Sequence, residues 1–388
     1  MTDEGYFAAL QDALIEAGHF RPVLVIDWGR LEANIDHVRG RLGDLPVRLV
    51  DKSLALPRLL AHLMQRLGTK RIMSFHMPTA RSMLQQFPEC EILFGKPMPA
   101  GAIRQLFQTS SATERELYTR SMIHLVDSVE RLTAYRDVAK SLGLPFRFAA
   151  EVNVGLHRGG FENPQSLLAA LDGIEDDPLM RCDGVMGYEP HIPKVPGFAG
   201  GAEGERRKVS ERYKAFLSVL DAEQKAIRNI GGSKTALGYG TGTFASEVSI
   251  GSAFLLPTDF DGGELEALQP ALFIASPVLK TVDARLPGPA WLTLLMQATG
   301  RFPRRGCYTY GGKWMARPVH PPGMRENSLW GSSSNQQFFA LLDDSTAKAD
   351  DFAFFRPTQS EAVLQQFGPV LIYNQGRIVD EWPPLALG

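Results

Sequence analysis

Five polar or glycine-rich segments follow short apolar runs that the sequence predicts to be strands. They are Lys52 and residues 74–76, 151–160, 187–191 and 238–243. The carboxyl ends of parallel strands meet on one face of a barrel, so we expect these distant segments to converge. A lysine in such a place can attack a carbonyl carbon. A solvated lysine that closes a strand is the alternative, because lysines are mostly exposed.

The segment after the last predicted strand could bind phosphate. Tyr239, Gly240, Thr241, Gly242 and Thr243 offer consecutive backbone N–H groups, two threonine hydroxyls and little steric bulk. Such loops bind phosphate, and barrels often hold it after the eighth strand, where we place this loop. A tight glycine turn is the alternative.

A lysine and a phosphate loop on one face indicate a phosphorylated aldehyde cofactor, pyridoxal 5'-phosphate, which forms a Schiff base with a lysine. Arg158 could reach the ring's phenolic oxygen or a substrate carboxylate, or it could form a surface ion pair. Tyr188 and His191 are candidate acid/base groups; a buried aromatic and a loop histidine are the alternatives.

Alternating strands and helices between residues 22 and 250 must position these side chains. We count about eight strand–helix units, from a strand at 22–27 to a last strand at 235–237 that follows a helix at 205–230. This pattern predicts a closed, TIM-like (β/α)₈ barrel. An open doubly wound sheet is the rival, but no G-x-G-x-x-G follows the first strand.

The remaining sequence is rich in β patterns. Apolar runs separated by turn residues predict a mostly β carboxyl-terminal domain; they lie at 271–275, 278–282, 291–295 and 370–373. We therefore divide the chain into a barrel, 20–250, and a β-rich domain, 1–19 plus 251–388, against which a first helix at 6–18 packs.

Composition excludes several classes of protein. The net charge of −2 argues against nucleic-acid binding, and no apolar run is long enough to span a membrane. Three scattered cysteines and an acidic amino terminus without an apolar core favour a cytoplasmic protein.

Together these motifs resemble the alanine racemase-like, fold-type III pyridoxal phosphate enzymes, and within them the D-threonine aldolase and D-serine dehydratase family. Arg48 and Lys52 match the family's Arg-x-x-x-Lys segment, and residues 151–160, 187–191 and 240–243 match three further stretches. The resemblance implies Lys52 as the Schiff-base lysine, Arg158 and Tyr188 beside the cofactor, phosphate on residues 240–243, and a homodimer. It also implies a lyase acting on a small D-configured β-hydroxy amino acid, with a racemase or a non-catalytic pyridoxal phosphate-binding protein as alternatives.

Two stretches depart from this family. Val50 and Leu54 stand at or near places where the family has histidines. Many members bind a divalent metal near the carboxyl terminus, where this chain has Gln359 and Glu361, so a zinc site of the usual kind is not expected.

Overall fold

The computed structural model describes residues 3–240 and 242–385. The chain forms two compact units. One contains residues 35–253 and 262–267, with Leu385, and the other contains residues 3–34, 254–261 and 268–384. The boundary falls inside helix α2 (Trp28–Leu42).

The first unit is a closed barrel of eight parallel strands. Its strands are β2 (Val47–Val50), β3 (Arg71–Ser74), β4 (Glu91–Phe94), β5 (Met122–Val126), β6 (Phe146–Glu151), β7 (Met180–Met186), β8 (Ile227–Ile230) and β9 (Glu247–Ile250). Strand β9 pairs with β2 and closes the ring. The strands are largely buried, as expected when helices cover the outside and side chains fill the inside.

Seven further helices of the described chain lie between the barrel strands. They are α3 (Pro57–Leu67), α4 (Met77–Gln86), α5 (Ala100–Thr109), α6 (Ala112–Ser121), α7 (Val129–Leu142), α8 (Pro164–Asp172) and α9 (Gly201–Leu217). Helix α3 shows how the sequence sets these boundaries. Pro57 occupies its first turn, where a missing N–H costs nothing, and Gly68 ends it in a left-handed conformation.

The barrel is confirmed, but its first and last strands differ from our prediction. Residues 22–27 do not begin it, because β1 (Val23–Asp27) pairs with strands of the other unit. Residues 227–230, predicted as the end of a helix, form the seventh barrel strand. Residues 235–237, predicted as the last strand, lie in a turn that includes a 3₁₀ segment, Ala236–Gly238. The short strand Ile227–Ile230 was hidden by the helical pattern that precedes it.

The second unit is built on a nine-stranded sheet. Besides β1 it contains β10 (Leu272–Asp283), β11 (Arg305–Tyr310), β12 (Ala316–His320), β13 (Arg325–Glu326), β14 (Gln336–Leu341), β15 (Phe352–Pro357), β16 (Val370–Asn374) and β17 (Arg377–Trp382). Strand β1 lies between β10, antiparallel, and β16, parallel. A mostly β carboxyl-terminal domain is therefore confirmed.

Two helices complete this unit. Helix α1 (Asp3–Glu16) packs Phe7 and Leu10 against Phe273 and Phe354, which confirms that the first helix belongs with the sheet. The prediction of β structure at 291–295 is wrong, because this run lies in helix α10 (Ala290–Ala298). Pro289 precedes this helix as its amino-terminal cap residue. No helix in the described part of the chain is long and apolar enough to cross a membrane.

Candidate active site at the carboxyl end of the barrel

Lys52 lies in a 3₁₀ turn, Asp51–Ser53, that directly follows the first barrel strand, β2. The Leu54 N–H closes the turn on the Asp51 carbonyl at 3.0 Å. The Lys52 side chain is exposed, and its Nζ lies 4.6 Å from the centre of the Phe75 ring, just after β3. Gly95 makes room for this ring, because a Cβ at residue 95 would overlap it. The lysine is thus held at the mouth of the barrel, accessible to a ligand.

Asp51 is buried directly beside this lysine. It is 1% exposed, and within the described residues neither carboxylate oxygen makes a hydrogen bond of normal geometry. Burial raises the pKa of Asp51 to about 7, and the Ser74 hydroxyl, the Lys52 amide and the Lys52 charge offset only part of that shift. An acid of this kind exchanges its proton near neutral pH.

Arg158 and Tyr188 come together from the loops after β6 and β7. The Arg158 guanidinium lies 5.0 Å from the centre of the Tyr188 ring, within range for a cation–π contact. Glu151 ends β6; burial raises its pKa, Arg158 lowers it in part, and Asp127 after β5 raises it. Side chains that follow three neighbouring strands, β5, β6 and β7, therefore meet at the same mouth.

Glu189 holds the loops after β7 and β8 together. It is fully buried, and it accepts hydrogen bonds from the Gly231 N–H at 3.2 Å and the Tyr239 hydroxyl at 3.3 Å. Burial raises the pKa of Glu189, and Thr235, Gly231 and Arg206 lower it in part. The Tyr239 side chain is committed to this buried carboxyl.

The loops after β8 and β9 form a small cradle of backbone amides and hydroxyls. The Ser233 Oγ accepts from the Gly251 N–H at 3.2 Å and the Ala253 N–H at 3.1 Å. A Cβ at Gly251 would lie 2.9 Å from Val50 Cβ, and a Cβ at Gly232 would lie 2.7 Å from the Tyr188 ring. Only glycine fits at these two places, which bring the backbone close to Tyr188 and to the Lys52 turn.

The loop at Gly240–Thr243 does not lie where we placed it. It precedes the eighth strand instead of following it, and it leads to the amino end, where the Phe244 carbonyl accepts from Arg228 Nε. Gly240 lies beside the Arg41 carbonyl near the end of α2, and the Thr243 hydroxyl accepts from the Ala245 N–H. Gly242 has positive φ, and Thr241 lies outside the described residues. The prediction that this loop follows the eighth strand is wrong, because the last two strands were assigned too early.

His191 follows Tyr188 by three residues and faces helix α9. Its Nε2 lies 3.4 Å from Glu205 Oε1. The ring also borders Gly155, at the start of the loop that carries Arg158. Among the described residues neither ring nitrogen of His191 makes a hydrogen bond of normal geometry, and both nitrogens are buried. A histidine oriented by a carboxylate is suited to proton transfer.

Gln359 and Glu361 lie in the sheet unit, in a stretch that lacks the usual zinc ligands. The Gln359 Nε2 donates to Asp259 Oδ2 at 3.0 Å, and Ser360 Oγ donates to Glu361 Oε2 at 3.4 Å. Zinc prefers imidazole and thiolate ligands, which this stretch lacks. In the described chain no three His, Cys, Asp or Glu side chains are grouped to hold a metal ion.

Sequence reasoning missed Asp51, Glu189 and the cradle at Ser233 and Gly251. Both acids stood inside segments that we selected, but their burial cannot be read from residue type. A signal for the cradle did exist, because Gly231-Gly232-Ser233 is a turn sequence directly after the apolar Ile230. The helix that we predicted at 205–230 concealed this signal.

Barrels with this order of elements, followed by a mostly β unit, recur among solved structures. A D-threo-3-hydroxyaspartate dehydratase from Delftia sp. HT23 is 19% identical, with a TM-score of 0.68 over 94% of this chain and 97% of that one. A D-threonine aldolase from Filomicrobium marinum is 16% identical, with a TM-score of 0.70 over 95% and 97%. An alanine racemase from Clostridium difficile 630 is 15% identical, with a TM-score of 0.68 over 93% and 98%. These similarities establish the fold alone.

A closed eight-stranded barrel followed by a mostly β unit is the alanine racemase-like, fold-type III architecture. Residues 26–257 match the family model described as "Alanine racemase, N-terminal domain", and the chain belongs to that family. No curated protein matches it in sequence.

Proposed function

We propose that this chain is a pyridoxal phosphate-dependent lyase that acts on a small, D-configured β-hydroxy amino acid. The observation that carries the proposal is the convergence of Lys52, the Arg158–Tyr188 stack and the Ser233–Gly251 cradle on one end of the barrel. An amine, a planar cation and a glycine-lined group of donors fit the aldehyde, the ring and the phosphate of this cofactor. When bound, the cofactor supplies an electron sink for a carbanion at the substrate Cα.

Each of these side chains has a role in the proposal. Lys52 carries the cofactor through its Nζ, and Arg158, oriented by the Tyr188 ring, binds an anionic oxygen of cofactor or substrate. Ser233 and Gly251 bind the phosphate at the ends of the seventh and eighth strands, where it replaces the hydrogen bond that they make with each other. Barrels often hold phosphate in this place. This assignment replaces the predicted loop at Gly240–Thr243.

The proton transfers fall to Lys52, Tyr188 and His191. Lys52 Nζ and the Tyr188 hydroxyl exchange protons at the substrate Cα. His191, whose Nε2 lies 3.4 Å from Glu205 Oε1, exchanges a proton with the β-hydroxyl. A group reserved for the β position supports a lyase. No step uses a metal, because the stretch at Gln359 and Glu361 does not fit the usual site.

Two measurements test this proposal. After incubation with pyridoxal phosphate and gel filtration, the chain should keep an absorption band in the range of about 410–430 nm. A panel of D-amino acids should then yield a keto acid or an aldehyde from a β-hydroxy member, equally with and without a chelator. Absence of the band contradicts the cofactor assignment, and inversion without cleavage would make the protein a racemase. A band without any turnover would make it a binding protein.

A homodimer is part of the proposal. The support is the resemblance to fold-type III enzymes, and sedimentation at micromolar concentration provides the measurement.

A further inference from the structure

Helix α10 turns its apolar side chains away from the sheet unit that carries it. Trp291, Leu294 and Leu295 are 64%, 66% and 52% exposed, and Ala298 is exposed one turn further on. The spacing of these four residues places them in one stripe along the helix. A helix of a folded protein normally buries such a stripe against its core, so this one is available to a partner.

Polar side chains fasten the opposite side of the helix. The Thr293 hydroxyl accepts a hydrogen bond from the Leu286 N–H at 3.1 Å. The Gln297 Nε2 donates to the carbonyls of Ala284 at 2.9 Å and Pro303 at 3.1 Å. These bonds tie the helix to the chain before and after it, and they fix the outward direction of the apolar stripe.

The stripe protrudes instead of lining a groove. A groove shields the side chains that line it, whereas Trp291 and Leu294 are each exposed over more than half of their surface. A protruding apolar ridge fits a partner that deforms around it, and the boundary between lipid headgroups and acyl chains is such a partner. Tryptophan and leucine are among the side chains that enter this boundary.

The chain around the helix is strongly basic. Residues 284–305 contain four arginines and no acid, although the net charge of the whole chain is −2. Arg304 lies 3.5 Å from Asp343. Arg285 and Arg301, which flank the helix, are exposed, and among the described residues neither has an ion-pair partner. Two such guanidiniums beside an apolar stripe complement the phosphates of anionic lipids.

We propose that the α10 face, which consists of Trp291, Leu294, Leu295, Arg285 and Arg301, docks on an anionic phospholipid bilayer. The helix lies along the membrane surface, with its apolar stripe below the headgroups and the two arginines on lipid phosphates. The attachment is peripheral and reversible, because three large side chains bury little apolar area. It concerns the sheet unit alone and does not depend on the proposed function.

Vesicle sedimentation tests the docking with the full chain. The protein is mixed with sucrose-loaded vesicles of phosphatidylcholine alone, or of equal parts phosphatidylcholine and phosphatidylglycerol, and centrifuged. The wild type should sediment with the anionic vesicles, much less with the neutral ones, and less at high salt, which screens the charges. Trp291→Ser/Leu294→Ser and Arg285→Gln/Arg301→Gln should each lower the affinity for anionic vesicles roughly 10-fold or more.

Matched variants in the barrel unit separate this face from a general effect of surface composition. Phe198→Ser removes an aromatic side chain that is 95% exposed, and Arg104→Gln/Arg207→Gln removes two exposed arginines, on α5 and α9. Both should sediment with anionic vesicles as the wild type does. All four variants should keep the thermal unfolding midpoint of the wild type, since every substituted side chain is exposed.

Tryptophan fluorescence shows whether the helix enters the lipid. Anionic vesicles whose phosphatidylcholine carries bromine on its acyl chains should quench part of the emission of the wild type. Trp291→Phe should still sediment with the vesicles, because phenylalanine keeps the apolar contact, but that part of the quenching should be lost.

Four results overturn the inference. They are a wild type that stays in the supernatant, equal binding to neutral and anionic vesicles, equal affinity of the wild type and both α10 variants, and quenching that survives in Trp291→Phe. A wild type that ignores vesicles but forms a larger assembly than Trp291→Ser/Leu294→Ser in sedimentation velocity would assign the α10 face to a second copy of this chain instead.

Discussion

The two ends of the barrel treat their charged side chains in opposite ways. At the amino end, Arg48 is fully buried and pairs with Glu247 at 2.5 Å and Glu91 at 2.9 Å. Arg147 bridges Glu91 at 2.8 Å and Asp183 at 2.6 Å. At the carboxyl end, Lys52 is exposed and Asp51 is buried without a hydrogen bond of normal geometry in the described chain.

The paired charges at the amino end have a structural role, even though this end contains a cavity. A space of about 750 Å³ opens among the charged residues at the starts of the strands. Glu91, Arg147 and Glu247 around it already have partners, so a ligand would have to displace them. Charged groups that pair with one another stabilise the barrel floor, whereas Lys52 at the other end is exposed and accessible to a ligand. The functional end of the barrel is therefore identified by how its charged side chains are paired and not by the size of its cavity.

The largest expected effect belongs to Lys52. Lys52→Ala should remove the absorption band and lower turnover by roughly 10³-fold or more, because the group that carries the cofactor is lost. Thermal unfolding of the cofactor-free chain should hardly change, since the side chain is exposed. Absorbance and steady-state rates provide the measurement.

Lys70→Ala is the matched control at the amino end, where it lines the charged cavity. It should change neither the band nor the rate. A band that survives in Lys52→Ala would show that another amine carries the cofactor.

The reverse pattern is expected for Arg48. Arg48→Met should lower the free energy of unfolding by about 3–5 kcal/mol, because Glu247 stays buried after losing its main partner. Cofactor labelling of Lys52 should persist in the folded fraction. Urea denaturation measures the loss, and Arg48→Met/Glu247→Leu should recover at least half of it by removing both charges. A loss below about 1 kcal/mol would mean that the pair at the floor contributes little.

The contrast between the two ends of the barrel also explains how much of the site could be predicted from the sequence. Lys52, Arg158 and Tyr188 were identifiable because each follows an apolar run, and strand ends converge in any parallel barrel. Strand β1 misled us because Val23–Asp27 is buried on both faces in a sheet as it would be in a barrel. The burial of Asp51 and the partners of Glu189 could not be predicted, since they depend on which strands become neighbours.

Arg158 provides a smaller effect at the mouth. Arg158→Ala should weaken pyridoxal phosphate binding roughly 10-fold, because a charge-assisted contact is lost. The dissociation constant of Arg158→Lys should fall between those of the wild type and Arg158→Ala, since lysine keeps the charge but loses the planar stack on Tyr188. Titration followed by absorbance gives the dissociation constants. Arg207 is an exposed arginine on α9, and Arg207→Ala should leave the dissociation constants unchanged. Equal weakening in Arg158→Ala and Arg207→Ala would mean that Arg158 contributes only its positive charge.

Tyr239→Phe should have the smallest effect and still distinguish the two ends. It removes one donor from the buried Glu189 and should cost about 1 kcal/mol of unfolding free energy. Burial already raises the pKa of Glu189, so stability is lost as the pH rises through the folded-state value. Removing a donor raises that pKa further. The cost should therefore be larger at pH 8 than at pH 5, as measured by urea denaturation at both.

Glu189→Gln combined with Tyr239→Phe controls for this titration, because the double variant has no carboxyl at residue 189 and its cost should not vary with pH. A cost for Tyr239→Phe that is the same at both pH values would mean that Glu189 keeps one protonation state in the folded chain. The titrating buried acid at the carboxyl end would then be Asp51. Glu189 would resemble the paired charges at the amino end, because its hydrogen-bond partners are complete and it holds the Gly231 loop in place.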